Sequence, residues 1–194
     1  MNASAAPKPR MTVDEYLDWS RSLPDTENYE LIDGVPVAMA GDSLRHNLVK
    51  GALYRALQDA VAAAGLPCTV FTDGVNVKID TWNARIPDCS VQCGPLGNLD
   101  SILVQPVIVA EVTSPSSDKD DSGEKLARYF GVPSIEHYLI IRAEQGVIVH
   151  HRRGEGEEIR TALVRDGRLT LDPPGLSFDV APVLRAAALS EGQF

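Results

Sequence analysis

The sequence contains no apolar run of about 18 residues, the length that a membrane-spanning helix requires. Its first segment, MNASAAPKPR, also lacks the apolar core of a secretory signal. We expect residues 1–10 to form a short disordered tail and residues 11–194 to form a single domain, because this length supports one sizeable core. Together these absences predict a cytoplasmic protein.

Cysteine is also scarce. The chain has Cys68, Cys89 and Cys93, too few to suggest a disulfide framework. Cys89 and Cys93 have the same parity along a predicted strand, so they face the same side of it. We expect all three to be reduced thiols of the core. A zinc site that includes His150 or His151 has no support, because paired CxxC or HxxxH spacing is missing.

Positive charge is in short supply, since 18 Lys and Arg face 27 Asp and Glu and give a formal net charge of −9. This balance argues against a surface built for general nucleic-acid binding. It does not exclude a nuclease, because acidic residues that hold cations make the local field differ from the global one. It does predict weak or selective DNA affinity. The sequence also lacks the Gly-x-Ser-x-Gly elbow of serine hydrolases and the common phosphate-binding glycine loops.

Helix signals are clearest in the first third of the chain. Thr12 and Glu15 have the spacing of a capping box at the start of a first helix. A long second helix is predicted to begin at Asp42 or Ser43 and to end at Gly65. Apolar residues recur along it at helical spacing: Leu44, Leu48, Ala52, Leu53, Ala56, Leu57, Ala60 and Val61.

Strand signals are spread along the chain. Asp-Gly pairs predict two hairpins, in YELIDGVPVAM and in CTVFTDGVNVKI, with WNARI as a loop after the second. Further strands are predicted in PDCSVQC, QPVIVAEVTS, HYLIIR, VIVHHRR, EIRTALVRDG, RLTLD and LSFDV. Helices are predicted in GEKLARYF and near residues 181–188. Mixed strands with a few helices predict an α/β or α+β fold with a curved mixed sheet.

Two carboxylates occupy unusual positions in these strands. Glu111 follows the apolar run VIVA, where a charge needs a cation or a hydrogen-bond donor to offset its lost hydration. Asp88 follows Pro87 at the start of a strand and shares a predicted polar, half-buried face with Ser90 and Gln92. If the two strands are neighbours, both carboxylates converge on one point, and magnesium prefers such oxygen ligands.

Further charged residues are candidates for the same site. Lys125 lies on the polar side of the helix that follows Glu111, where a lysine can activate attacking water or stabilise phosphorane charge. Glu30 is a third carboxylate, inside an otherwise apolar strand, and is a candidate metal ligand.

The order YELIDG…H…PDCSV…VAEVTSPSS…K…Y…HYLII resembles the Uma-two family of restriction-endonuclease-like proteins, which belongs to the PD-(D/E)XK nuclease superfamily. The resemblance covers roughly residues 11–183. It implies a restriction-endonuclease-like core, a curved mixed sheet flanked by helices and extra hairpins. It also implies a DNA endonuclease that depends on Mg²⁺ or Mn²⁺. A homodimer would supply the two sites that double-strand cleavage needs.

The resemblance assigns roles residue by residue. It implies that Pro87-Asp88 is the "PD" element, that Glu111 is the second acid and that Glu30 is the early glutamate. Thr113 stands where the superfamily has lysine, so the catalytic lysine would come from the next helix, as Lys125. His46 matches a histidine at the start of the long helix and, with Thr113 and Tyr129, is a possible site-lining residue.

Structural roles remain open for each of these residues. Asp88 can bond backbone amides, Glu111 can pair with Lys125 or Arg128, Lys125 can be solvated, and Glu30 can be a cross-strand ion-pair partner. Two other functions also remain open. One is a binding or assembly module with a weakened nuclease site. The other is a metal-dependent hydrolase of a small phosphoester.

Overall fold

The structure is a computed structural model that describes residues 10–24, 27–99, 102–113 and 122–188. Residues 1–9 of the expected tail at residues 1–10, and most of the acidic loop after Glu111, lie outside the described residues. The helices of the described part are α1 (Val13–Ser20), α2 (Leu44–Ala64), α3 (Ser122–Phe130) and α4 (Val180–Arg185). The strands are β1 (Tyr29–Ile32), β2 (Val35–Ala38), β3 (Cys68–Thr72), β4 (Val77–Lys78), β5 (Ala84–Arg85), β6 (Cys89–Cys93), β7 (Pro106–Val112), β8 (His137–Arg142), β9 (Val147–Arg153), β10 (Ile159–Val164), β11 (Arg168–Leu171) and β12 (Leu176–Asp179).

A mixed sheet with the order β10-β9-β8-β7-β6-β3 forms the centre of the fold. Its β7 and β8 strands are parallel and its other neighbouring strands are antiparallel. A smaller sheet has the order β2-β1-β5-β4, and β11 pairs with β12. This arrangement confirms the predicted α+β class with a mixed sheet, helices and an extra hairpin.

The inner strands of the central sheet are buried on both faces, whereas the edge strand β10 is largely exposed. One face packs against α2, α4 and the β11-β12 pair, with a core that includes Leu53, Leu57 and Phe178. The other face packs against α3 through Tyr129 and Phe130. The α3 face therefore covers the side of β7 that carries Glu111, because Glu111 has the same parity as Val109 of this second core.

The local helix and turn signals are confirmed. Thr12 and Glu15 form both bonds of the capping box. Asp33 and Gly34 both have positive φ in the turn between β1 and β2, which a two-residue hairpin of the favoured kind requires. Ser43 caps α2, and Gly65 ends it in the left-handed conformation.

Several predictions of strand pairing and burial are wrong. The segment CTVFTDGVNVKI is no hairpin, because β3 pairs with β6 while β4 pairs with β5. WNARI is not entirely a loop, since it contains β5. β6 is buried on both faces and not half-buried, because Ser90 and Gln92 are buried together with Val91. Leu44 and Leu48 are exposed, since α2 turns its Val49 and Leu53 side towards the sheet.

The cysteine prediction is also wrong for two of the three residues. Cys68 and Cys93 lie opposite each other in the β3-β6 ladder and form a disulfide. Only Cys89 is a buried free thiol, as expected. The strand partner of Cys93 is set by long-range pairing, which the parity of its own strand does not reveal. No helix of the described part is long and apolar enough to cross a membrane.

Two buried histidines pair between β8 and β9. His137 Nε2 bonds the carbonyl oxygen of Pro173 at 2.7 Å, and His137 Nδ1 lies 2.9 Å from His150 Nε2. A carbonyl oxygen only accepts, so Nε2 of a neutral His137 carries the hydrogen and His150 donates to Nδ1. Burial lowers the pKa of both histidines to about 4.

We expect this pair to make stability pH-dependent. Unfolded histidines bind protons near pH 6.5 and the folded ones near 4, so the stabilisation is complete above pH 6.5 and is lost as the pH falls towards 4. At pH 5 one such histidine lowers the free energy of unfolding by roughly 2 kcal/mol relative to neutral pH. His150→Gln keeps a side-chain donor but does not titrate. Urea unfolding at pH 7 and pH 5 should therefore show a smaller loss in the variant, and equal losses would contradict the assignment.

Candidate functional site

The β6-β7 ladder places Asp88 and Glu111 at the same end of two adjacent strands. Cys89 lies opposite Ala110 in this antiparallel pair. Asp88 precedes Cys89 and Glu111 follows Ala110, so the next register position sets the two acids opposite each other. Asp88 Oδ2 also accepts a 2.6 Å bond from the backbone amide of Val112. The structure thus brings the two predicted acids to one edge of the sheet.

Helix α3 supplies partners for Glu111. Lys125 Nζ lies 3.2 Å from Glu111 Oε1, and the hydroxyl of Tyr129 donates to the same oxygen at 2.8 Å. Lys125 and Tyr129 are four residues apart, so both project from one side of α3. The Glu111 side chain is 11% exposed and that of Lys125 is 26% exposed. The Lys125 side chain is therefore partly exposed at the rim of the site, whereas that of Glu111 is almost covered.

Burial controls the protonation of this group. It raises the pKa of Glu111, and the nearby Lys125 ammonium counteracts part of that rise. Burial alone would lower the pKa of Lys125, but the negative charges of Glu111 and Glu30 outweigh it, and the pKa is raised. Lys125 consequently remains an ammonium ion. Burial also raises the pKa of Tyr129 well above its usual value, so Tyr129 stays a hydrogen-bond donor.

Helix α2 supplies partners for Asp88. His46 Nε2 lies 3.1 Å from Asp88 Oδ1, and this contact raises the pKa of His46. Lys50 Nζ lies 3.8 Å from the same oxygen, contacts Asp42 Oδ2 and lies 2.8 Å from Asp73 Oδ2. Burial opposes the charge of Lys50, but the bonds to Asp42 and Asp73 outweigh it and raise its pKa.

Glu30 lies near Glu111 and Lys125 and is ion-paired with Arg85. It accepts bonds from Arg85 Nη1 at 2.9 Å and from the backbone amide of Ile86 at 3.0 Å. Glu30 and Arg85 belong to neighbouring strands β1 and β5, so the cross-strand ion pair weighed from the sequence is present. Glu30 is close enough to contribute to the raised pKa of Glu111.

Two other candidate residues have contacts of their own. Thr113 follows directly after β7 and donates its backbone amide to the carbonyl oxygen of Ile141. Its buried hydroxyl has no partner among the described residues. Arg128, the alternative partner of Glu111, instead bonds Asp33, Asn83 and Glu124. The structure therefore joins Glu111 to Lys125 and not to Arg128.

Sequence reasoning missed Lys50, Asp42 and Asp73 as site residues. A signal was present, because Asp42, His46 and Lys50 are spaced by four residues and so follow one side of the α2 N-terminus. Lys50 also stands among the apolar positions of that helix, next to Val49. A buried lysine at such a position requires a carboxylate partner.

The donor set suits a divalent cation. Asp88 and Glu111 offer carboxylate oxygens, which are the ligands that Mg²⁺ prefers. Both carboxylates are almost entirely buried, at a place where their own charges lie close together, and a divalent cation there would offset the negative charge that Lys125 alone does not balance. A second group of donors, from Asp42, His46 and Asp88, lies within 4.8 Å of one another.

A mixed sheet with acidic residues at the end of two adjacent strands, covered by helices on both faces, defines a restriction-endonuclease-like α+β protein. The chain belongs to the Uma2 family, whose model matches residues 13–185 and whose description reads "Putative restriction endonuclease". This match confirms the resemblance found in the sequence.

Two individual proteins extend this result. An uncharacterized protein from Synechocystis sp. is 29% identical over 190 residues, which cover 96% of this chain and 98% of that protein. A crystal structure from Anabaena variabilis, described as a putative nuclease belonging to DUF820, has a TM-score of 0.68 and 15% identity. The superposition covers 88% of this chain and 98% of that chain. At this identity the second comparison shows the shared fold.

Proposed function

We propose that the protein is a metal-dependent endonuclease that hydrolyses DNA phosphodiester bonds. The observation that carries the proposal is the convergence of Asp88, Glu111 and Lys125 at one edge of the central sheet. The family description and the nuclease name of the structural neighbour support the same class of activity. Cleavage of both strands requires two such sites, which a homodimer would supply.

Asp88 and Glu111 would hold Mg²⁺ or Mn²⁺. When bound, the cation lowers the pKa of a water molecule and polarises the scissile phosphate. His46 and the Val112 amide fix the orientation of Asp88, and Tyr129 fixes that of Glu111. Both carboxylate oxygens of Glu30 already accept hydrogen bonds, from Arg85 and from the Ile86 amide. Glu30 would therefore contribute to the site by positioning Arg85. Its role as a metal ligand stays a prediction.

We assign to Lys125 the role of the motif lysine, because Thr113 stands at the position where the superfamily has that lysine. Its ammonium is held 3.2 Å from Glu111 and keeps its charge. A fixed positive charge at this distance stabilises the negative charge that develops on the phosphorus-bound oxygens. The side chain is 26% exposed, so a phosphate group of the substrate can reach it.

We expect Lys125→Gln to lower the cleavage rate by about 10²–10³-fold, the usual cost of removing one group that stabilises transition-state charge. Lys78→Gln is the matched control, because Lys78 is also partly exposed but pairs with Asp14 at the surface. The measurement is plasmid cleavage with Mg²⁺ or Mn²⁺ under single-turnover conditions. Equal rates for the two variants would contradict the assignment.

The same assay tests the proposed function itself. Wild-type protein should cleave plasmid DNA with Mg²⁺ or Mn²⁺ and should stop when EDTA is added. Undiminished cleavage in EDTA would contradict metal dependence. Turnover of bis(p-nitrophenyl) phosphate without DNA cleavage would identify a small phosphodiester, and not DNA, as the substrate. Folded protein that neither binds metal nor cleaves either substrate would identify a weakened nuclease fold used for binding.

A further inference from the structure

A second group of metal donors shares Asp88 with the proposed catalytic site. It consists of Asp42 Oδ1, His46 Nε2 and Asp88 Oδ1. Asp88 meets this group through Oδ1, whereas its Oδ2 faces the end of β7 at the Val112 amide. The three donors come from the loop before α2, from the first turn of α2 and from the segment before β6. They therefore meet only in the folded chain.

The distances within this group fit neighbouring ligands of one ion. His46 Nε2 lies 3.1 Å from Asp88 Oδ1 and 3.6 Å from Asp42 Oδ1. Two ligands at right angles, each about 2.1 Å from a metal ion, are about 3 Å apart. Three protein donors on one side of an ion leave its other positions free for water, as in mixed histidine and carboxylate sites with open positions.

The charges around the group also favour a cation. Asp42, Asp73 and Asp88 surround the single ammonium of Lys50, which leaves a net charge of −2 when His46 is neutral. Lys50 contacts Asp42 through Oδ2, so Oδ1 remains directed towards His46. Asp42 is exposed, His46 is half-buried and Asp88 is buried. An ion can thus enter from solvent and reach the buried acid.

We propose that Asp42, His46 and Asp88 form a second divalent-cation site that selects a transition-metal ion over Mg²⁺. The imidazole nitrogen is the reason for this preference, because Mg²⁺ demands oxygen ligands while transition metals accept nitrogen. The inference deepens the proposed endonuclease function, on which its catalytic significance rests. The binding itself needs no substrate and no turnover.

The test measures Mn²⁺ binding to the full chain in the absence of nucleic acid. Calorimetry gives the dissociation constant, and pulsed electron paramagnetic resonance identifies the ligand atoms. Wild-type protein should show a nitrogen coupling to bound Mn²⁺, and an equal concentration of Mg²⁺ should not displace this ion. His46→Gln should abolish the coupling. His46→Gln and Asp42→Asn should each raise the dissociation constant by at least about tenfold, since even loss of a residue that only orients a metal ligand costs that much.

Controls separate this site from the proposed catalytic one. Asp59→Asn, an exposed acid farther along α2, should bind Mn²⁺ as wild type does. Glu111→Gln should keep the nitrogen coupling, because Glu111 lies outside the group. Nitrogen coupling without nuclease activity would support this second site and refute the proposed function. Nuclease activity without nitrogen coupling would support the proposed function and refute this second site. Coupling that survives in His46→Gln, or Mn²⁺ affinity unchanged in folded Asp42→Asn, would overturn the proposal.

Discussion

Asp88→Asn and Glu111→Gln should each lower metal-dependent DNA cleavage by at least about a thousandfold, which corresponds to about 4 kcal/mol of transition-state stabilisation. Both changes keep the size of the side chain and remove the negative charge that would hold the cation. Asn at position 88 can still accept from the Val112 amide, and Gln at position 111 can still accept from Tyr129. The loss should therefore come from metal binding and not from local collapse.

Single-turnover cleavage and Mn²⁺ titration of the same samples measure this prediction. Glu158→Gln is the control, because Glu158 is an exposed carboxylate that pairs with Arg160 on β10. It should cleave as wild type does. Circular dichroism should show that both site variants are folded. The same residual cleavage in the wild type and in both site variants would point to a contaminating nuclease and would remove the enzymatic claim.

Glu30→Ala should lower the free energy of unfolding by about 3–5 kcal/mol, the typical cost of removing one partner of a buried ion pair. The Arg85 side chain is 3% exposed and that of Glu30 is 12% exposed. Without Glu30 the guanidinium of Arg85 stays buried without its counter-charge, and the Ile86 amide loses its acceptor. Urea unfolding at neutral pH gives the free energy directly.

A matched variant and a double variant make this second prediction specific. Glu158→Ala breaks the Glu158–Arg160 pair, whose side chains are 52% and 65% exposed, and should change stability by no more than about 1 kcal/mol. The double change of Glu30 and Arg85 to leucine removes both charges and should be less destabilising than Glu30→Ala. If Glu30→Ala costs no more than Glu158→Ala, the buried pair does not stabilise the fold.

The sequence by itself determined the local structure and the resemblance to the family. The Thr12 capping box, the Asp33-Gly34 turn and the Gly65 helix end depend on residues close in sequence, so their patterns could be read directly. The same holds for β7, whose apolar run predicted burial, and for α3. The unusual positions of Asp88 and Glu111 could be recognised because a carboxylate at the end of a buried strand needs compensation.

Only the tertiary structure decided which distant residues meet. The Asp73-Gly74 turn looked like a hairpin, yet β3 pairs with β6, which also joins Cys68 to Cys93. Lys50 was not predicted as a site residue, and it is the fold that buries it beside Asp42 and Asp73. Such contacts depend on strand order and helix packing, which are set by the free energy of the whole folded chain. Turn and capping signals act over a few residues and do not encode them.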